Sequence, residues 1–340
     1  DFQQEVRLAG AVVAVTDGVA TTIAGESIGI NLGTSTVSDT YTVIANAGNI
    51  IDSGALAVTR LATLTTSAPG ADIELDQTGS TFAAGISLNT TGSSGNATVD
   101  NGTNALIIAA SSLGGNLTLT SGHGDGIIDA AGAIVTVGGN LSATTNANNG
   151  VINMGTLAVD GTIALITNGN GNATVVNDDG LNFGTSSVGG VLTATASAGN
   201  MTDTGALIVT STSTFTTNTD GADIKLDTTT NRFTGAVTVN TVGSGGAAEI
   251  HGGSTPLGII ASGEVGTLKL TTTGADITDS GALVVLGATT IDAGGADVTL
   301  NHGSSNLQGA VGASGRNILM THPTEIDLGA STVTGTYGVT

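Results

Sequence analysis

The chain lacks several residue types that particular functions require. Its 340 residues include no cysteine and no tryptophan, only six lysine and arginine residues, and 27 acidic residues, for a net charge of −21. Without cysteine there is no disulfide, thiolate metal site or thiol nucleophile. A surface of this charge repels phosphate backbones, so we expect no nucleic-acid partner. No apolar run approaches the roughly 18 residues that span a bilayer, so we expect no transmembrane segment.

Large aromatic side chains are also scarce, at 2% of the sequence, while glycine contributes 54 residues. A hydrophobic content of 39% excludes the class of disordered chains with low hydrophobicity and high charge. A core with few large rings must be filled by valine, isoleucine, leucine and alanine in narrow layers. Such layers suit a thin solenoid better than a thick sandwich or an α/β core.

The sequence repeats itself at a long, fixed offset. Residues Asn31–Val37 resemble Asn182–Val188, and Asp52–Leu56 resemble Asp203–Leu207; the offset is 151 in both cases (182 − 31 and 203 − 52). The match continues in register for about ninety residues. A repeat of this length indicates a fold in which each unit stacks on its neighbours.

A shorter repeat divides the long one. The Asp203–Leu207 segment recurs at Asp279–Leu283, an offset of 76 (279 − 203), and a looser copy begins at Asp129, at an offset of 77 from Asp52 (129 − 52). The Gly221–Asp223 segment recurs from Gly295, at an offset of 74 (295 − 221). The shorter repeat therefore has a period of 74–77 and occurs about four times.

Within each unit, apolar residues alternate with threonine, asparagine or lysine. Examples are Asn116–Thr120, Ala236–Asn240 and Thr267–Thr271. This period of two predicts half-buried strands, and no segment has the period of an amphipathic helix. We therefore predict an all-β parallel β-helix (β-solenoid) with about 3–4 coils per repeat and essentially no helix. We expect residues 1–30 to form a less regular N-terminal coil or cap, and residues 31–340 to form one continuous solenoid that ends within a repeat.

Polar and glycine residues recur at fixed places in the repeat. A catalytic site is a single constellation, whereas residues that return in every repeat are expected to build corners of the coil. Stacked asparagine side chains satisfy backbone groups at corners, and glycine fits where the backbone needs positive φ or where successive coils come close. The predicted structural repeat positions are Asn49, Asp52, Gly54, Asn200, Asp203, Gly205, Asp279 and Gly281.

Residues Gly122–Asp129 partly resemble the glycine- and aspartate-rich calcium repeat of parallel β-rolls. That motif binds through tandem copies, and here it occurs once, so Asp125 and Asp129 are only weak calcium candidates. The four histidines are far apart in sequence, which disfavours a zinc site. We predict no catalytic residue, no cofactor beyond weakly bound calcium, and no enzymatic activity. A polysaccharide-active β-helix enzyme is the remote alternative, poorly supported by two tyrosines and six basic residues.

Three segments carry a resemblance to known proteins: Gly114–Thr120, Gly274–Leu283 and Asp327–Gly335. They resemble the repeat regions of very large bacterial β-strand-repeat surface proteins, which in turn are similar to the shafts of filamentous-haemagglutinin-type adhesins. The resemblance implies a right-handed parallel β-helix, export from the cell, and a location on the bacterial cell surface or outside the cell. It supplies no catalytic residues.

Two functional interpretations stay open at this point. In the first, the chain is a shaft segment of a large surface adhesin, whose ligands are host or matrix glycans or proteins. In the second, it is a subunit of an extracellular filament or surface layer. Because Leu328–Tyr337 matches Leu32–Tyr41, the sequence stops inside a repeat. The expected partners are therefore solenoid chains of the same type, joined end to end through uncapped ends, or the remainder of a longer chain.

Overall fold

The computed structural model describes residues 5–23, 25–243 and 245–340. All regular secondary structure in these ranges is β-strand, which confirms the prediction of an all-β protein. The described residues accordingly contain no helix that could cross a membrane. Contacts divide the chain into two units, Asp1–Val175 (unit 1) and Val176–Thr340 (unit 2). The expected change of character near residue 30 stays a prediction, and residues 1–4 and 24 of that segment lie outside the described ranges.

Unit 1 contains short strands separated by turns. The strands are β1 (Ala9–Gly10), β2 (Val13–Asp17), β3 (Thr21–Ile23), β4 (Glu26–Leu32), β5 (Ser35–Val37), β6 (Tyr41–Ala45), β7 (Asn49–Asp52), β8 (Leu56–Val58), β9 (Ala62–Pro69), β10 (Ile73–Leu75), β11 (Thr81–Phe82), β12 (Ile86–Thr91), β13 (Ala97–Asp100), β14 (Leu106–Ile108), β15 (Ser111–Leu113), β16 (Leu117–Ser121), β17 (Ile127–Asp129), β18 (Val135–Val137), β19 (Leu141–Asn148), β20 (Ile152–Val159) and β21 (Thr162–Asn168).

Strand β22 (Ala173–Asn177) includes both boundary residues. Unit 2 continues with β23 (Leu181–Phe183), β24 (Ser186–Val188), β25 (Leu192–Ala196), β26 (Met201–Asp203), β27 (Leu207–Val209), β28 (Ser213–Asp220), β29 (Ile224–Leu226), β30 (Arg232–Phe233), β31 (Val237–Val242), β32 (Ala247–His251), β33 (Leu257–Val265), β34 (Thr267–Thr271), β35 (Ile277–Val285), β36 (Thr289–Asp292), β37 (Val298–Leu300), β38 (Asn306–Leu307), β39 (Val311–Gly315), β40 (Ile318–Met320), β41 (Thr332–Val333) and β42 (Tyr337–Val339).

Strands pair in parallel with their counterparts one coil further along. In unit 1, Ile73 pairs with Ala97, Ala97 with Leu117, and Leu117 with Leu141. The spacing from one coil to the next is therefore 24, 20 and 24 in turn (97 − 73, 117 − 97, 141 − 117). Three to four such coils fit in one short repeat, as predicted, and the described residues form the stacked parallel coils of a β-solenoid, about 15 turns in all. The handedness stays a prediction.

The first thirty residues contain an exception to parallel pairing. Strands β3 and β4 pair antiparallel, with Thr21 opposite Ile28. Further along, the pairing follows the long sequence repeat closely. Ala97 pairs with Leu117 in unit 1, and the residues 151 positions later, Ala248 and Leu268, pair in the same way in unit 2. The long sequence repeat therefore records a repeated strand register.

The interior of each unit is filled by alternate residues of the strands. In β6, for example, Tyr41, Val43 and Ala45 are fully buried. Most of the interior consists of valine, isoleucine, leucine and alanine, but the rare aromatic side chains also lie there. In unit 2 the ring of Phe215 contacts those of Phe183 and Phe233 edge to face, with ring centroids 6.0 Å apart in both pairs.

Candidate functional site

The corner where strand β7 and its counterparts begin carries a ladder of polar side chains in unit 1. The Oδ1 atom of Asp72 accepts a hydrogen bond from the backbone N–H of Asn96, at 2.6 Å. The Oδ1 atom of Asn96 accepts from the N–H of Asn116, and that of Asn116 from the N–H of Asn140, both at 2.8 Å. Each side chain thus binds the backbone of the next coil. We call the whole series the amide ladder: Asn49, Asp72, Asn96, Asn116, Asn140 and Thr162.

Unit 2 contains a shorter version of the same ladder. The Oδ1 atom of Asn200 accepts from the N–H of Asp223 at 2.9 Å, and that of Asp223 accepts from the N–H of Ala247 at 2.7 Å. Ala247 stands 151 positions after Asn96 (247 − 96) and offers no side-chain acceptor. The structure therefore places the predicted positions Asn49 and Asn200 at equivalent corners, each bonded to the next coil.

A second ladder in unit 2 includes an ion pair. Asp297 accepts from the backbone N–H of Asn317 through Oδ1, at 3.1 Å, and Asn317 accepts from the N–H of Thr336, at 3.0 Å. The guanidinium of Arg316 donates two hydrogen bonds to the same carboxylate, at 2.9 and 2.8 Å. This contact with Arg316 lowers the pKa of Asp297 to about 2. A charge-assisted contact of this kind keeps the carboxylate ionised in its corner.

The predicted positions Asp52 and Asp203 lie at the ends of β7 and β26, with their side chains turned inward. Asp52 is 7% exposed and Asp203 8% exposed. The Oδ1 atom of Asp52 accepts from the N–H of Asp76, and that of Asp203 from the N–H of Asp227, both at 3.1 Å. Burial raises the pKa of Asp52 to about 7 and also raises that of Asp203, because a charged carboxylate loses hydration inside the coil.

Asp279, the third predicted aspartate, is less buried and has two partners. Its Oδ1 accepts from the N–H of Asn301 at 3.0 Å, and its Oδ2 from the N–H of His302 at 2.8 Å. The three aspartates thus hold equivalent backbone segments one coil ahead, and in Asp279 both oxygens accept from backbone N–H groups of that segment. This arrangement gives each of them a role in joining coils.

The two calcium candidates have different partners. The Oδ2 atom of Asp129 accepts hydrogen bonds from the backbone N–H and the hydroxyl of Thr156, both at 2.6 Å. The side chain of Asp125 is 84% exposed and lies 3.5 Å from Nδ1 of His123. Within residues 5–23, 25–243 and 245–340, no three histidine, aspartate or glutamate side chains are grouped to hold a metal ion. Calcium binding stays a prediction.

The predicted glycines lie where coils come close. A Cβ atom added to Gly54 would be 2.4 Å from the backbone nitrogen of Thr34, and one added to Gly205 would be 2.3 Å from that of Thr185. Because these neighbours are backbone atoms, no side-chain movement relieves the overlap. Gly281 has more room, since its nearest neighbour would be a side-chain carbon at 3.1 Å.

Sequence reasoning missed a set of buried threonines. The hydroxyl of Thr66 donates to the carbonyl of Ala71 at 3.0 Å, and that of Thr217 donates to the carbonyl of Ala222 at 3.1 Å; both threonines are fully buried. Ala71 and Ala222 each come directly after a glycine in the left-handed region, Gly70 and Gly221, both with φ of 76°. The detectable signal was a threonine followed five residues later by alanine or glycine. Threonines with this bond are the buried Thr66, Thr145, Thr217 and Thr241 and the half-buried Thr90.

A further set of inward side chains accepts hydrogen bonds from strand backbones. The N–H of Leu207 donates to Oδ1 of Asn231 at 2.8 Å, and the N–H of Leu307 donates to Nε2 of His322 at 3.1 Å. His322 is only 9% exposed, so this histidine is a buried corner residue. All these sets satisfy backbone groups at the turns: the threonines do so within one coil, and the other side chains do so between neighbouring coils.

Parallel coils joined by repeated corner hydrogen bonds define the chain as a β-solenoid repeat protein with a structural role. A family model described as repeats of unknown function (DUF5649) matches residues 16–89, 170–240 and 245–314. These segments cover more than half of the chain, which therefore belongs to this family. Each match spans about 70–75 residues, in agreement with the repeat read from the sequence. No curated protein and no solved structure matches the chain.

Proposed function

We propose that the chain is a non-enzymatic shaft segment of a large bacterial surface adhesin, located on the cell surface or in the extracellular matrix. The observation that carries the proposal is the use of the recurring polar side chains. Asn96, Asn116 and Asp203 each bind the backbone of the next coil. Side chains occupied in this way extend the stack from coil to coil, which is the work of a spacer.

The way in which the coils stack supports a role as a shaft. Each coil of a solenoid contacts only its neighbours, so added repeats lengthen the protein without a new core. The acidic surface, at a net charge of −21, favours solubility outside the cell. The resemblance of Asp327–Gly335 and related segments to bacterial surface repeats adds support for export. Recognition of host or matrix glycans or proteins then belongs to other parts of the adhesin or to exposed loops.

The test is the location of the chain in intact source cells. Antibodies raised against residues 25–175 are expected to label unpermeabilised cells, and mild external protease treatment is expected to remove that label. An antibody against a cytosolic protein, which should label only permeabilised cells, is the control. Signal confined to permeabilised cells would overturn the proposal. If the purified chain formed filaments reversibly as its concentration rose, the second interpretation, a filament or surface-layer subunit, would replace the shaft.

A further inference from the structure

The carboxyl group of Asp52 has an unsatisfied oxygen atom in the interior of unit 1. The residue is 7% exposed. Its Oδ1 atom accepts from the N–H of Asp76 at 3.1 Å, but its Oδ2 atom is buried without any hydrogen-bond partner. An unsatisfied buried carboxylate oxygen is costly when charged, because the lost hydration is not replaced.

The equivalent aspartate in unit 2 has the partner that Asp52 lacks. The Oδ2 atom of Asp203 accepts from Nδ2 of Asn231 at 2.5 Å, while Oδ1 of the same asparagine accepts from the N–H of Leu207. The residue 151 positions before Asn231 is Ser80 (231 − 151). The Ser80 hydroxyl reproduces only the contact with the strand backbone: it accepts from the N–H of Leu56 at 3.1 Å, as Asn231 accepts from that of Leu207. The serine side chain is too short to replace both amide contacts.

The charges around Asp52 do not compensate for the missing partner. Burial is the largest cause of the raised pKa of Asp52; the charge of Asp76, on the next coil, raises the pKa further, and hydrogen bonds from the backbone N–H groups of Asp76 and Gln77 only partly offset these effects. On the preceding side, Glu5 accepts from the hydroxyl of Ser53 at 3.3 Å and is itself paired with Arg7. The charged groups on the segments packed around this corner are Glu5, Arg7, Glu26, Glu74 and Asp76. Among the described residues, Asp52 forms no ion pair with a basic side chain.

We propose that Asp52 is a proton-controlled latch between the coils of unit 1. With the carboxyl group protonated, the corner that joins Asp52 to Asp76 is closed and stable. Loss of the proton places an uncompensated charge on the buried Oδ2 side of the carboxylate and opens the corner. In unit 2, Asn231 stabilises the charged form of Asp203, so the corresponding corner responds less to pH.

The pH window follows from linkage. The pKa of Asp52 is about 7 in the folded chain, against a reference value of 3.8. A carboxyl group with a raised folded pKa contributes its full stability below the reference pKa and loses it as pH rises to the folded pKa. The opening equilibrium of the corner therefore rises between about pH 4 and pH 7 and levels off above.

Hydrogen exchange of the complete chain tests the latch. Protection factors, corrected for intrinsic exchange rates, are measured at pH 5 and pH 8 for peptides that contain the amides of Asp76 and Leu56. The shift in pKa predicts protection lower at pH 8 by up to about a hundredfold. Peptides that contain the amides of Asp227 and Leu207 report on the matched corner of unit 2, where a smaller change is expected.

Three variants separate the latch from general pH effects. Asp52→Asn and Ser80→Asn are each expected to remove most of the difference between pH 5 and pH 8 in unit 1. Asn231→Ser is expected to enlarge the difference at the unit 2 corner. Equal protection at both pH values in the natural chain would overturn the proposal. So would an undiminished pH effect in folded Asp52→Asn, and circular dichroism establishes that each variant is folded.

Discussion

Removal of one rung of the amide ladder should produce a measurable and local loss of stability. Asn116 is a suitable rung because its Oδ1 accepts from the N–H of Asn140 at 2.8 Å in an exposed corner. Asn116→Ala removes this acceptor and leaves the backbone N–H to water. A net hydrogen bond of this kind contributes about 0.5–1.5 kcal/mol. We therefore expect the free energy of unfolding of unit 1 to fall by about 1 kcal/mol.

Two measurements check this value. In thermal unfolding followed by far-ultraviolet circular dichroism, a loss of about 1 kcal/mol lowers Tm by about 2–4 °C for a unit of about 150–250 residues. In hydrogen exchange, a local loss of about 1 kcal/mol speeds exchange of the Asn140 amide about fivefold. The exchange experiment is the more direct of the two, because it reports on the rung itself.

Matched variants distinguish loss of the Asn116 hydrogen bond from a general effect of substitution near strand β16. Asn116→Asp keeps an acceptor oxygen at the same place, and Asp72 already supplies a carboxylate to the same ladder; we expect most of the protection to remain. Thr118→Ala changes an exposed residue of the neighbouring strand β16 and measures the background effect. If Asn116→Ala changes the exchange of the Asn140 amide no more than Thr118→Ala does, the ladder does not stabilise the coil.

Three further predictions concern the interior and the turns. Phe215→Ala should lower the stability of unit 2 by about 3–5 kcal/mol in urea unfolding, because it leaves a cavity and removes two ring contacts; Phe215→Leu should cost less, and equal effects would contradict this. Thr217→Val should cost about 1 kcal/mol through the lost bond to the Ala222 carbonyl, whereas no change in Tm would count against a structural role. Between pH 4 and pH 7, burial of Asp52 should reduce the stability of unit 1 by up to about 4 kcal/mol, and Asp52→Asn should flatten that dependence in urea titrations.

The fold was predictable because its two signals are local and repeated. Alternation in segments such as Asn116–Thr120 records which side of a strand is buried, and the offset of 151 records which strands are equivalent. The coil length was harder to define, because the spacing between paired residues changes from 24 to 20 in successive coils and the turns between strands vary. A period that changes from coil to coil does not produce a sharp repeat in sequence.

The corner chemistry was only partly predictable. Asn49 and Asn200 were identifiable because they recur at the long offset and stand where a strand begins, Asn49 as the first residue of β7 and Asn200 just before β26. Thr66 was missed because threonine in an alternating strand favours the outer face, whereas here its hydroxyl turns inward to the Ala71 carbonyl. The sequence alone does not show why the change from Asn231 to Ser80 matters. Its effect depends on the aspartate of the preceding coil: Asn231 bonds to Asp203, whereas Ser80 forms no such bond to Asp52.

The central claim is that successive coils stack in parallel with a defined register, and engineered disulfides test it directly. Glu74 pairs with Thr98, and Thr98 pairs with Thr118, on the outward side of three adjacent strands. Adjacent strands lie about 4.8 Å apart, within the range that a disulfide bridges, whereas strands two coils apart do not. Because the chain has no cysteine, each pair can be tested alone. The double variant Glu74→Cys/Thr98→Cys should oxidise rapidly and almost completely, and Glu74→Cys/Thr118→Cys should stay reduced as a monomer. The opposite result would contradict the stacked parallel coil.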